Sequence, residues 1–127
     1  MKIRLTTVLV KDQAHALDFY TRVLGFEADK DIPMGDARWL TVTSPEGAKG
    51  VEVTLEPSGS DFATAYQDAL YQRGIPIMAF GSSDLQAEYE KLQAKGVSFR
   101  SPPTAMGPVT VAMFDDTCGN WIQLFQE

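Results

Sequence analysis

Short runs of aliphatic and β-branched residues alternate along this chain with segments in which apolar residues recur every three or four positions. The first run, residues 3–10, reads as a strand, because β-branched side chains suit a pleated, half-buried surface. It ends at Lys11-Asp12, where Asp12 is placed to cap a helix whose apolar face is Ala16, Leu17, Tyr20, Val23 and Leu24. Gly25 stands where a left-handed C-terminal cap is wanted. Residues 26–30 predict a second strand, Pro33, Gly35 and Asp36 a loop, and residues 38–43 a third strand. Pro45-Glu46-Gly47 reads as a turn, with residues 50–55 as the hairpin partner.

The second half repeats this order. Pro57-Ser58-Gly59-Ser60 punctuates the chain, and Ser60 is placed to cap a connector helix carrying Phe62, Ala65, Tyr66, Ala69 and Leu70 as far as Gly74. Residues 75–80 predict a strand, and Ser83-Asp84 a cap for the stripe Leu85, Tyr89 and Leu92 that ends at Lys95-Gly96. Residues 97–100 make a short strand before a break at Pro102-Pro103. Residues 108–114 and 121–125 then form a hairpin around the turn 115–120. Asp12 and Asp84, the two helix openers, lie 72 residues apart. The chain thus reads as one α+β domain, 1–127, with a first βαβββ module over 1–57, a connector over 60–73 and a second module over 75–127. A module of about 60 residues exposes one apolar face of its sheet and is marginal alone, so two copies are expected to cover each other.

Composition narrows the partners. The 127 residues are 44% hydrophobic and 22% charged, as in ordinary globular domains. The net charge of −6 and pI near 4.7 lack the clustered Lys and Arg that nucleic acid or an anionic membrane requires. The first residues hold no apolar run of signal-peptide length, and no stretch approaches about 18 consecutive apolar residues, so a cytoplasmic location is expected. Cys118 is the only cysteine, which excludes an intrachain disulfide and a multi-cysteine zinc site.

Val10-Lys11-Asp12 followed by Ala16-Leu17-Asp18-Phe19-Tyr20-Thr21-Arg22-Val23-Leu24-Gly25-Phe26 resembles the first strand–helix signature of the vicinal-oxygen-chelate superfamily, the glyoxalase/bleomycin-resistance group. Gly50-Val51-Glu52-Val53, Leu92-Gln93-Ala94-Lys95-Gly96-Val97 and the closing segment Phe114-Asp115-Asp116-Thr117-Cys118-Gly119-Asn120-Trp121-Ile122-Gln123-Leu124 extend the resemblance over nearly the whole chain. It implies paired βαβββ modules forming an open, eight-stranded, barrel-like sheet with the helices outside, a substrate pocket, and a homodimer.

Metal-using members of that superfamily, such as glyoxalase I and the extradiol dioxygenases, take His, Gln or Glu ligands from the first and last strands of each module. Here the matching positions fall on Leu5, which has no lone pair to offer, and near Met78, whose thioether suits soft copper. Glu52 and Gln123 remain as oxygen donors, against the three or so protein ligands that a catalytic divalent site normally uses. His15, the only histidine, lies inside the first helix.

No resident cofactor is therefore expected, a divalent metal ion on Glu52 and Gln123 being the alternative. If the positions that the resemblance assigns to the cavity, Leu5, Glu52, Met78 and Gln123, face inward, strand alternation adds Thr7, Thr54 and Trp121, and with Trp39, Phe80 and Met113 the expected lining suits a small aromatic or hydrophobic molecule. The preferred reading is a bleomycin-resistance-like binding protein without a metal. A metal-dependent lyase, isomerase or dioxygenase, a regulatory domain with a vestigial pocket, and an acid–base enzyme in which burial raises the pKa of Glu52 stand as alternatives.

Overall fold

In the computed structural model, which describes residues 1–127, Asp12 accepts a hydrogen bond from the His15 amide at 2.9 Å and Asp84 accepts one from the Ala87 amide at 3.0 Å. Each carboxylate satisfies a first-turn amide that has no partner within its helix, so both helices start where the sequence places them. Strand β1 (Leu5–Val10) leads into helix α1 (Gln13–Asp18), which continues in a π-helical turn, Phe19–Val23. Strands β2 (Glu27–Met34), β3 (Ala37–Thr43) and β4 (Glu52–Pro57) complete the first module. Helix α2 (Asp61–Gln72) connects it to β5 (Met78–Gly81), α3 (Leu85–Ala94), β6 (Phe99–Met106), β7 (Val109–Asp115) and β8 (Trp121–Gln126).

The βαβββ order is present twice, as the α+β reading requires. The strands form two four-stranded sheets, ordered β1-β4-β3-β2 and β5-β8-β7-β6, and neither closes into a barrel. In both sheets the first strand pairs parallel with the last, and every other pairing is antiparallel. The chain divides into two compact units, Met1–Thr64 and Ala65–Glu127, and the division falls inside α2.

In the first unit, register puts Val8 level with Leu55 and Val42 level with Val53, so one face of the sheet is apolar. Val8, Val10, Leu40, Val42 and Leu55 are fully buried, as are Ala16 and Tyr20 of the helical segment above them. Gln13 ties the helix to the sheet. Its amide nitrogen donates to the carbonyls of Arg38 at 2.7 Å and Leu55 at 2.8 Å, and its oxygen accepts the Arg38 amide at 3.0 Å. In the second unit, α3 lies over Phe114, Ile122 and Leu124, with Tyr89 edge-on to Phe99 at 4.7 Å and Phe99 tilted against Phe114 at 5.7 Å.

Two strands run further than the proline positions predict. β2 continues through Pro33, and β6 continues through Pro102 and Pro103 to Met106. Both are edge strands, where a missing amide donor costs no ladder bond, and β6 absorbs its prolines as register shifts.

The β7–β8 turn is organised by Asp116, a fully buried carboxylate. It accepts the Cys118 amide at 2.7 Å, the Asn120 amide at 3.0 Å and the Asn120 side-chain amide at 2.8 Å, and Thr117 takes a positive φ of 59° to close the turn. Replacing Asp116 with Ala leaves these donors buried without an acceptor. Urea denaturation is expected to show a loss of about 3 kcal/mol for Asp116→Ala, and a loss under about 1 kcal/mol would contradict this account of the turn.

Candidate functional site

Side chains on paired positions of neighbouring strands share a face. On the first sheet, Leu5 pairs with Glu52, Thr7 with Thr54, and Thr54 with Thr41, while Trp39 lies two residues before Thr41. Leu5, Thr7, Trp39, Glu52 and Thr54 therefore stand together on the face opposite the apolar core, as the alternation predicts. On the second sheet, Gln123 pairs with Ala79 on one side and Met113 on the other, and Trp121 shares their face.

Register removes two residues from this second group. Met78 pairs with Ile122 and Phe80 with Leu124, which places both on the core face. The small residues Ala79 and Gly81 take the positions on the Gln123 side. A one-residue shift in a strand exchanges its faces, and the sequence places the strand's inward position one residue too early. His15 is exposed on α1, and Cys118 is buried in the β7–β8 turn.

The electrostatics of the first sheet centre on Glu52, whose side chain is 16% exposed. Its Oε1 accepts hydrogen bonds from the Lys30 ammonium at 2.5 Å and from the Thr41 hydroxyl at 2.7 Å. Thr41 Oγ1 in turn accepts the Lys30 backbone amide at 3.1 Å, so one residue of β2 is held through both its backbone and its side chain. A register shift between Ala28 and Asp31 brings Lys30 to this position. The ammonium also reaches Asp29 at 3.4 Å.

These bonds set the protonation states. The Lys30 hydrogen bond, followed by that of Thr41, holds the Glu52 carboxyl below its ordinary value of 4.5, and the Glu52 hydrogen bond holds Lys30 above its ordinary 10.5. The shift runs opposite to the rise that burial alone would give, because the Lys30 and Thr41 hydrogen bonds stabilise the charged form. Beside it, the Thr54 hydroxyl is buried and has no hydrogen-bond partner. No group of three or more His, Cys, Asp or Glu side chains converges to hold a metal ion.

On the second sheet, Trp121 is already engaged. Its ring stacks on Tyr71 at 5.2 Å with an interplanar angle of 10°, its indole N–H donates to the Tyr71 carbonyl at 3.1 Å, and the Arg100 guanidinium lies 5.3 Å from its centroid. The Tyr71 hydroxyl donates to Asp115 at 2.6 Å, and that bond, reinforced by burial, raises its pKa above 10.0. Trp121 is therefore held in place by its neighbours. A recess of about 300 Å³ among Glu27, Thr43, Pro45, Ala48 and Lys49 is lined by none of the residues nominated from the sequence.

Lys30, Thr41 and Tyr71 were not visible to periodicity. Lys30 reads as an ordinary surface charge in a strand, and only the register shift turns it toward Glu52. Tyr71 follows Leu70 on α2, one residue beyond the stripe that the spacing picks out.

The chain belongs to the Glyoxalase/Bleomycin resistance protein/Dioxygenase superfamily, whose family profile matches residues 2–124. It is 49% identical over 127 residues to YurT of Bacillus subtilis (strain 168), covering 100% of both chains. Among solved structures, UcmS2 superimposes with a TM-score of 0.84 at 32% identity, covering 98% of this chain and 97% of that one. TnmS3, an antibiotic binding protein from Streptomyces sp. CB03234, superimposes with a TM-score of 0.75 at 28% identity, covering 99% and 95% respectively.

The shifted protonation equilibria give a pH signature. A carboxyl whose folded pKa is lowered contributes stability that is fully present above its ordinary value and is lost as pH falls through the folded value. For Glu52 the loss begins below about 4.5 on acidification. The Lys30 contribution has the opposite sense, being lost as pH rises through a value above 10.5. Thermal midpoints of wild type and Glu52→Gln, followed from about pH 7 to pH 3, are expected to differ most at neutral pH and to converge in acid. A constant offset across that range would contradict the pairing.

Proposed function

We propose that the protein is a bleomycin-resistance-like binding protein that holds a small aromatic or hydrophobic molecule without a metal. The observation that carries this reading is the Lys30 ammonium 2.5 Å from Glu52. The acid that would ligate a cation in the first module already has one, and a divalent ion would have to displace both Lys30 and the Thr41 hydroxyl to reach the same oxygen. Leu5, paired with Glu52, adds no donor. This donor set does not suit a catalytic divalent ion, which asks for about three protein ligands and an open position.

What remains on the face of the first sheet opposite its apolar core is Leu5, Thr7, Trp39 and Thr54 around one neutralised carboxylate. This mixture suits a flat apolar body oriented by a few polar groups. Met113, Trp121 and Gln123 present a similar mixture on the second sheet. The likeness to TnmS3 supports sequestration of a drug-like compound over its chemical conversion. We place the protein in the cytoplasm as a homodimer, the assembly that the family resemblance implies; no helix is long and apolar enough to cross a membrane.

Thermal-shift screening with aromatic and heteroaromatic compounds, antibiotics among them, tests the binding function. A ligand present at about 100 times its Kd stabilises by about 2.7 kcal/mol, which raises the midpoint by several degrees. Metal analysis of tag-free protein is expected to find well under one equivalent of Mg, Mn, Ni or Zn. Stoichiometric metal that disappears in Glu52→Ala or Gln123→Ala would instead establish the metal-dependent reading, with those two residues as ligands.

A further inference from the structure

A buried hydroxyl without a partner costs stability, and a domain of this size has few of them. Thr54 is 2% exposed, its Oγ1 has no partner, and it stands in a cross-strand row with Thr7 and Thr41. Thr41 commits its one hydroxyl donor to Glu52 and accepts the Lys30 amide. Glu52 lies two residues from Thr54 on the same face of β4, about 7 Å along the strand. Glu52 Oε1 also accepts the Thr41 hydroxyl, and Thr41 is the direct cross-strand neighbour of Thr54, so the ammonium and the unpartnered hydroxyl border the same patch of this face. An ammonium carries three N–H donors, and those of Lys30 are directed at Glu52 and Asp29, leaving one for another acceptor. Its side chain is 42% exposed, so that donor is within reach of a ligand.

We propose that the Lys30 ammonium and the Thr54 hydroxyl form a two-donor subsite that recognises a neutral acceptor oxygen, such as a ketone or amide carbonyl, on an otherwise apolar aromatic ligand. The inference rests on the binding function proposed above and specifies its ligand. The two donors supply what a carbonyl oxygen accepts through its two lone pairs. Glu52 and Asp29 flank the ammonium and make the local charge negative, which disfavours a carboxylate or phosphate in the same place. Because Thr54 is 2% exposed, the subsite requires the ligand to displace the groups that cover it. Its hydroxyl is the kind of feature that stability alone would replace with a methyl group and that binding retains.

The test compares 2-acetylnaphthalene, 2-ethylnaphthalene and 2-naphthoate by calorimetric titration against wild type, Thr54→Val and Lys30→Met. The ketone is expected to bind wild type about tenfold more tightly than the hydrocarbon of the same shape, and the acid more weakly than the ketone. Thr54→Val and Lys30→Met are each expected to bring the ratio of the 2-ethylnaphthalene Kd to the ketone Kd, read within the same variant, down to about one, whatever the variant does to overall affinity. Without ligand, Thr54→Val is expected to raise the thermal midpoint by about 3 °C, because an unpartnered hydroxyl gives way to an apolar isostere. Thr54→Val carries the test alone if Lys30→Met does not fold. Equal binding of ketone and hydrocarbon, tighter binding of the acid, or a preference that survives Thr54→Val would overturn the subsite while leaving the binding function intact. Failure of all three compounds to bind wild type would overturn both.

Discussion

A carboxylate on an inner strand of a sheet must find a cation or a set of donors, because desolvation without compensation is costly. In the first module that requirement falls on Glu52, and it is met within the chain by Lys30 and Thr41. Several features follow from the pairing. The β2 ladder shifts register between Ala28 and Asp31, which brings the Lys30 amide to Thr41 and its side chain to Glu52. The carboxyl stays ionised and the amine stays protonated through the physiological range. The sheet face opposite the apolar core thus carries an internal ion pair.

The two modules share a frame and differ in what they place on it. Both begin with an aspartate cap, both pair the first strand parallel with the last, and both bury one sheet face beneath a helix. On the opposite face the first module carries charge and threonines, whereas the second carries Gln123 between Ala79 and Met113 and a Trp121 ring braced by Tyr71 and Arg100. The stack on Trp121 joins the end of α2 to β8, and the Tyr71–Asp115 bond fixes its orientation. The two modules thus share backbone hydrogen bonding and packing, which the fold requires, and differ in the side chains on the face opposite the core.

Local signals in the chain read through to the fold with little loss. Asp12 and Asp84 act as caps because capping involves residues three apart, and the buried faces of β1, β7 and β8 follow because alternation is a property of each strand alone. Other features depend on partners distant in sequence. Pro33, Pro102 and Pro103 look like breaks until their strands prove to be edges. Met78 and Phe80 look like pocket residues until the pairing with β8 assigns them to the core face. Glu52 was legible as the one acid of the first module's last strand, but its partner, 22 residues earlier, depends on a register shift that no spacing rule encodes. The direction of its pKa shift was missed for the same reason: burial can be guessed from a strand, whereas an approaching ammonium cannot.

On the proposed function, the position beside Glu52 belongs to the Lys30 ammonium and not to an exchangeable metal ion. Side-chain ammonium NMR of isotopically labelled protein, titrated with paramagnetic Mn²⁺, addresses it directly. The account predicts that the Lys30 ammonium signal persists at one equivalent of Mn²⁺ and broadens no more than those of the other lysines. Selective loss of the Lys30 signal at one equivalent, together with displacement of the ammonium from Glu52, would contradict it.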